Sequence, residues 1–322
     1  MGNSKIFTAA LLSALSACMF GCHIQDNDST ARLKEADLSG AVIVVSISET
    51  RHAKAVEMLA GEIEKRTGIR LATSESMPKG RVPAIVLGTV KSLGCSYSLP
   101  QGLEVPAKAE GYAIWVDSTG KIAPTVYLVG RDDRGALFAA GRLIRLAHMS
   151  REKLSISTDV RVATAPQYPI RGHMLIPGGK FIEWDKAGYE QLIRDMVIFG
   201  TNSFELNDYH ASVAATVDAY GLDLWLFFGH GKVADMKTAE DVERIFGRLK
   251  GLDYVFIPLG DSSRVKPTPV MIPATEHFAP LLKQVYPKAG IWLSHQNQEN
   301  HFVNDRSEER RVGKECRSRW SP

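Results

Sequence analysis

The sequence predicts an α/β protein: a small α+β N-terminal domain followed by an incomplete (β/α)8 TIM barrel holding about five of the eight strand–helix units. Three observations predict it. From about residue 168 onward, short apolar runs alternate with runs of helical period, and repeated strand–helix units imply parallel strands joined by right-handed crossovers. Before that point the order is strand, helix, strands, helix, which suits a small sheet with helices packed on it. The first strand of the regular part runs into Pro177-Gly178-Gly179 rather than a Gly-x-Gly-x-x-Gly helix entry, which counts against the alternative, a doubly wound open sheet.

The ends of the chain are set aside before the elements are read. Lys5 precedes an apolar run over residues 6–17 that is too short to cross a bilayer as a helix. The run closes on Leu15-Ser16-Ala17-Cys18, which resembles the lipobox of bacterial lipoproteins, where small residues precede a cysteine that receives diacylglycerol. Lipidation is expected at Cys18, with Cys22 as the second candidate and an ordinary cleaved signal peptide as the plainer alternative. Residues 1–22 are thus read as a lipoprotein signal and 23–37 as a polar, flexible tether. The implied location is exported, lipid-anchored to a bacterial membrane on the periplasmic or cell-surface side, with the anchor as the body's one contact with lipid.

Residues 306–322 show neither helical nor strand period and resemble the in-frame translation of a sequencing-library adapter, a natural basic tail being the alternative. They hold six basic and three acidic residues, which equals the whole formal excess of +3. Without them the charges balance, so charge offers no case for nucleic acid or a membrane surface as partner. Cys18, Cys22 and Cys316 lie at the ends, leaving Cys95 alone in the body and excluding a disulfide framework.

Residues 38–165 form the small domain. Residues 41–46 read as a buried strand; Val56, Leu59, Ala60 and Ile63 mark one face of a helix that stops at Gly68. Residues 83–88 are a second strand, 110–116 and 125–130 a strand pair, and 135–148 a helix carrying Leu137, Ala140, Ile144 and Ala147. Residues 166–305 form the barrel part. Its strands are read at 170–176, 202–206, 222–228, 254–258 and 290–294. Helices are marked by Leu192, Ile193, Met196 and Val197; by Val242, Ile245, Phe246 and Leu249; and by Phe278, Leu281, Leu282 and Val285.

Two groups of motifs carry a family resemblance. Glu110-Gly111-Tyr112, then Tyr127-Leu128-Val129-Gly130, then Asp132-Asp133-Arg134-Gly135-Ala136-Leu137-Phe138 resemble the small domain that precedes the barrel in family-20 β-N-acetylhexosaminidases and family-67 α-glucuronidases. Pro169-Ile170-Arg171-Gly172 and Gly200-Thr201-Asn202 resemble the opening of their barrels. The resemblance implies glycoside hydrolysis at the C-terminal mouth of the barrel, with a carbohydrate as partner and no cofactor.

Breaking a glycosidic bond needs two carboxyl groups, one with a raised pKa, and in a barrel these sit at the C-terminal ends of strands. Glu205 and Asp208 after the second strand and Asp261 after the fourth meet that condition; Glu205 and Asp261 are the catalytic candidates. In family 20 the strand matching 254–260 ends in Gly-Gly-Asp-Glu, the Asp positioning the acetamido group and the Glu acting as acid. Here it reads Leu259-Gly260-Asp261-Ser262. Ser262 cannot act as the acid, which argues against hexosaminidase activity proper; a turn or helix-cap role is the alternative for Asp261.

Substrate-binding candidates follow. By analogy Arg171 holds sugar hydroxyls or a carboxylate in its planar fork, against a structural ion pair. His173 faces the same side as Arg171, with packing as its alternative. Asp208, His210 and His230 follow the second and third strands, and His295 and Gln296 end the fifth. Trp292, with Trp225 and Phe227, offers rings on which apolar sugar faces stack, although core packing is favoured for Trp225 and Phe227. No fixed spacing supports a metal site. The leading expectation is a fragment of an exported glycoside hydrolase acting on poly- or oligosaccharides, inactive as it stands. The alternative is a non-catalytic glycan-binding lipoprotein with a degenerate barrel.

Overall fold

In the computed structural model, which describes residues 34–45, 50–119, 123–176, 185–258 and 268–294, regular structure starts at β1 (Glu35–Asp37). The last three residues of the expected tether are therefore a strand. Only Ala36 of the three is buried, but the backbone pairs antiparallel with β8 (Lys153–Ser157), which also pairs with β7 (His148–Ser150).

The small domain is a six-stranded sheet in the spatial order β3 (Ala72–Ser74), β2 (Val42–Val45), β4 (Ala84–Thr89), β6 (Thr125–Gly130), β5 (Tyr112–Asp117), β9 (Arg161–Thr164). The first four run parallel; β5 pairs antiparallel with both β6 and β9. Helices α1 (Thr50–Thr67) and α3 (Asp133–Leu146) share the core of one face, where Leu59, Ile63, Leu137 and Leu143 meet Ile43, Ile85, Leu87 and Leu128. On the other face Leu93 of α2 (Val90–Ser96) packs with Val44, Val86 and Val129. Sequence reasoning missed α2, β1, β3, β7, β8 and β9. Each spans seven residues or fewer, too short to display a period; β1, β3, β8 and β9 are fixed by pairing at a distance along the chain, and β7 by its hairpin with β8.

The second half is β10 (Gly172–Leu175), α4 (Lys186–Ile198), β11 (Ser203–Leu206), α5 (Ala211–Ala219), β12 (Asp223–Phe227), α6 (His230–Asp235), α7 (Ala239–Phe246), β13 (Leu252–Pro258), α8 (Thr268–Val285) and β14 (Gly290–Ser294). All five strands are parallel and lie side by side in chain order. A doubly wound sheet reverses its strand order at a switch point, and no reversal occurs here. The winding is that of a barrel, stopped among the described residues at five strands.

Burial alternates along these strands and names their two faces. Leu175, Phe204, Leu206, Leu224, Leu226, Val255 and Ile257 belong to one core with Ile193, Val197, Val213, Val217, Phe246 and Phe278 of the helices. That core is continuous with the small domain's helix-covered face. The opposite, inner face is interrupted by one bulge: Leu224 pairs with Leu252 and Trp225 with Tyr254, so Asp253 is extra, and its carboxylate accepts from the Leu224 N–H at 2.9 Å.

The two halves are tied at the N-terminal ends of β10–β12 by Glu110. This buried residue sits at φ 61°, a left-handed conformation that costs a non-glycine residue on the order of 1 kcal/mol or more. Its carboxylate accepts from Arg171 Nη2 at 2.7 Å, from Asn202 Nδ2 at 3.0 Å and from Arg134 Nη1 at 3.4 Å, while Asp132 accepts from its N–H at 2.9 Å. Arg134 continues to the Gly221 carbonyl and Asp223, and Asn202 to the Pro169 carbonyl. Gly135 is needed where α3 starts, because a Cβ there would lie 2.3 Å from the Gly111 carbonyl oxygen.

Candidate functional site

Register places one row of residues across the inner face: Met174, Glu205, Trp225, Tyr254 and Gly290, each paired with the next. The row beyond it, toward the C-terminal ends, holds Phe227, Phe256 and Trp292. The rings form a cluster, with centroids 4.5 Å apart for Trp225–Tyr254, 5.2 Å for Trp225–Trp292 and 6.4 Å for Tyr254–Trp292. Gly290 admits it: a Cβ there would lie 2.5 Å from Tyr254 Cδ1, so the ring occupies the space a side chain would take.

Glu205 is the one carboxyl of that central row. Its Oε1 is buried and has no hydrogen-bond partner among the described residues. Burial in this apolar setting disfavours the charged form and pushes its pKa up to about 7, with no charged neighbour contributing. A carboxyl that titrates near neutrality can give or take a proton at physiological pH. Rings beside a single polar group of this kind make a surface suited to an amphipathic ligand such as a sugar.

The other candidates divide into three groups. Trp292 lies half-buried on the inner face, close to Trp225 as a stacking surface requires. Asp208 is exposed just after β11, and His210 begins α5, with Nδ1 3.0 Å from Ser212 Oγ and its ring 5.3 Å from that of Tyr189. Asp208 and His210 thus follow the expected strand, but His210 contacts Ser212 and Tyr189 of the helix layer rather than Glu205.

Arg171 and His173 correct the sequence expectation. They do share a side, but it is the other one: His173 pairs with Phe204, whose side chain joins the helix-covered core, whereas Met174 pairs with Glu205. Arg171 donates from Nε to the Gly200 carbonyl, from Nη1 to that of Tyr168 and from Nη2 to Glu110, and stacks 5.2 Å from the Phe138 ring. All three nitrogens are engaged at the junction, so the guanidinium is a structural tie and not a sugar fork. The side chain of His230, at the start of α6, lies outside the described residues, as do Asp261, His295, Gln296 and Cys18.

Sequence reasoning missed Tyr254 and Phe256 as parts of the site. Alternation along 254–258 holds the signal, since Val255 and Ile257 are the core side, but the bulge at Asp253 breaks the parity that would connect them to Trp225. Among the described residues no group of three His, Cys, Asp or Glu side chains gathers as metal ligands would, and no helix is long and apolar enough to cross a membrane.

The sequence matches no protein-family model and no curated relative. Solved structures do resemble it. The family-20 β-N-acetylhexosaminidase of Streptomyces coelicolor aligns with a TM-score of 0.56 at 13% identity, over 81% of this chain and 63% of that one. A mutant Streptomyces plicatus β-hexosaminidase in complex with its product GlcNAc gives 0.57 at 12% identity, with the same coverage. A further family-20 β-N-acetylglucosaminidase gives 0.52 at 12%, over 78% and 61%. The chain therefore spans a little under two thirds of these neighbours. At such identity the likeness establishes the fold: a small α/β domain leading into the first strands of a TIM barrel.

Proposed function

We propose that this chain is the N-terminal part of an exported glycoside hydrolase that cleaves O-glycosidic bonds in poly- or oligosaccharides, with Glu205 supplying proton transfer. The observation that carries this is the Glu205 carboxyl, held by burial near pKa 7 on an aromatic inner face. In its neutral form it can protonate the departing glycosidic oxygen; in its charged form it can accept a proton from water. Asp261 is the second carboxyl of the proposal, and its distance from Glu205 would set a retaining or inverting outcome. Trp292 would carry the apolar face of a sugar ring, with Asp208 and His210 at the rim. The structural neighbours are enzymes of β-N-acetylhexosaminides, which supports a carbohydrate substrate. Ser262, where family 20 has its acid, argues against hexosaminidase activity proper and favours the non-catalytic glycan-binding alternative. A diacylglyceryl anchor on Cys18 would place the enzyme at the periplasmic or cell surface, supported by residues 15–18.

The test is hydrolysis of a panel of aryl glycosides by the chain extended through the downstream reading frame. Glu205→Gln is expected to lower kcat by about 100-fold or more, the usual size of an acid–base contribution. Sugar binding without turnover by the unsubstituted protein would establish the non-catalytic glycan-binding alternative instead.

A further inference from the structure

Two buried polar atoms on the inner face complement each other. Glu205 Oε1 is an acceptor and Trp225 Nε1–H a donor, and among the described residues neither has a hydrogen-bond partner. The two residues are register partners on adjacent parallel strands, β11 and β12, so their side chains leave the same face with Cα atoms about 4.8 Å apart. Leaving a buried donor and a buried acceptor both unmade is expensive, and two such atoms in neighbouring positions are unusual.

The indole is the fixed member. Its ring packs at 4.5 Å against Tyr254 and 5.2 Å against Trp292, and Tyr254 in turn fills the space over Gly290. The carboxyl stands at the end of a flexible chain whose neighbour on the other side, Met174, is half exposed and brings no polar atom that would hold it. Rotation of the glutamate side chain is therefore the motion that can join the pair.

We propose that Trp225 is a positioning residue for Glu205: its indole N–H receives the carboxylate when the proton leaves, and releases it when the proton returns. The neutral acid has little need of the donor. The carboxylate, having passed its proton to the glycosidic oxygen or to water, gains a charge-assisted hydrogen bond that holds it in a defined orientation for the next step. This rests on the hydrolase reading for its catalytic meaning alone, since the pair titrates without substrate. Among the described residues, the other titratable groups of the elements around the pair lie as follows. On the same face of β12, Asp223 is held by Arg134; Asp253 sits in the bulge of β13 and bonds the Leu224 N–H; β13 also brings Tyr254, and Asp208 and His210 follow β11.

The experiment is an indole 1H–15N titration of the 1–322 protein between pH 5 and 9, with the Trp225 resonance identified by its loss in Trp225→Phe. The Trp225 signal is expected to move with the Glu205 titration, at a midpoint below the value of about 7 that burial alone produces, and to be pH-invariant in Glu205→Gln. Trp225→Phe is expected to raise the Glu205 midpoint, followed by its carboxyl 13C shift, by about one pH unit. If that variant does not fold, the unsubstituted protein and Glu205→Gln decide the matter between them. An indole signal that does not titrate, or titrates equally in Glu205→Gln, overturns the proposal. Because no turnover is measured, it can fail while hydrolysis by Glu205 stands, and the reverse.

Discussion

The junction at the N-terminal ends of β10–β12 and the inner face of the same strands treat a carboxyl in opposite ways. At the junction Glu110 is buried, yet three side chains donate to it and its own N–H is satisfied by Asp132. On the inner face Glu205 presents a buried oxygen with no partner among the described residues, between its register neighbours Met174 and Trp225. The first arrangement fixes a charge and uses it to hold two halves of the chain together. The second leaves the charge poorly solvated and so keeps the proton exchangeable near neutrality. A barrel separates these tasks by end, with stability at the N-terminal face and chemistry toward the C-terminal one.

Substitutions can break or sharpen this contrast. The largest effect is expected from Glu110→Ala, which leaves Arg134 and Arg171 without their shared carboxylate and should cost about 3 kcal/mol in urea unfolding. Glu110→Gly should be less damaging by up to about 1 kcal/mol, because glycine tolerates φ 61°. A loss within about 0.5 kcal/mol of zero for Glu110→Ala would mean that the junction is not what ties the halves.

Next in size is Gly290→Ala, whose methyl group would collide with the Tyr254 ring and should cost about 1–3 kcal/mol while altering near-ultraviolet dichroism from Trp225 and Trp292. An unchanged spectrum would show that the aromatic cluster does not depend on that space.

The smallest effect has the opposite sign. Glu205 has a folded pKa of about 7, above its unfolded value, so the folded state binds the extra proton between the two. Stability should then fall as pH rises from about 4.5 to 7 and level off above it. Glu205→Gln removes that loss, so the variant should be more stable than the parent at pH 8 by ~1 kcal/mol, the shift being discounted for the carboxyl's solvent exposure. No growing gap in Tm between pH 5 and 8 would remove the distinction between the two carboxyls. The substitution expected to slow turnover is thus also expected to stabilise, the reverse of its counterpart at the junction.

The motifs that carry the family resemblance have a structural explanation. Glu110, Asp132, Arg134, Gly135, Arg171 and Asn202, scattered over some ninety residues of sequence, meet in one hydrogen-bonded cluster at the junction. In this chain they dock the small domain on the first barrel strands, and this is why they signal the fold well and the reaction poorly. Arg171 illustrates the hazard, since its place in a family-like motif suggested a sugar ligand whereas its nitrogens bind Gly200, Tyr168 and Glu110. Glu205 was legible because it interrupts a strand run between Phe204 and Leu206, a position where a charge needs a reason. Trp225 was legible as a ring and not as a donor, because the need of its N–H for a partner depends on burial.

The sequence by itself determined the five barrel strands, the main helices and the small domain's central strands, because hydrophobic period and glycine stops are local properties. It also singled out the carboxyl of Glu205, expected after the second strand and found within it. Only the tertiary structure decided which side of each strand faces the helices, and with it that Glu205 looks across at Trp225 while His173 looks away. The physical reason is that a strand's two faces differ by one residue of register, and a single bulge such as that at Asp253 exchanges them without leaving a mark in local composition. Strand order was likewise tertiary: the same beat of strands and helices suits a doubly wound sheet, and pairing in chain order from β10 to β14 is what makes it a barrel.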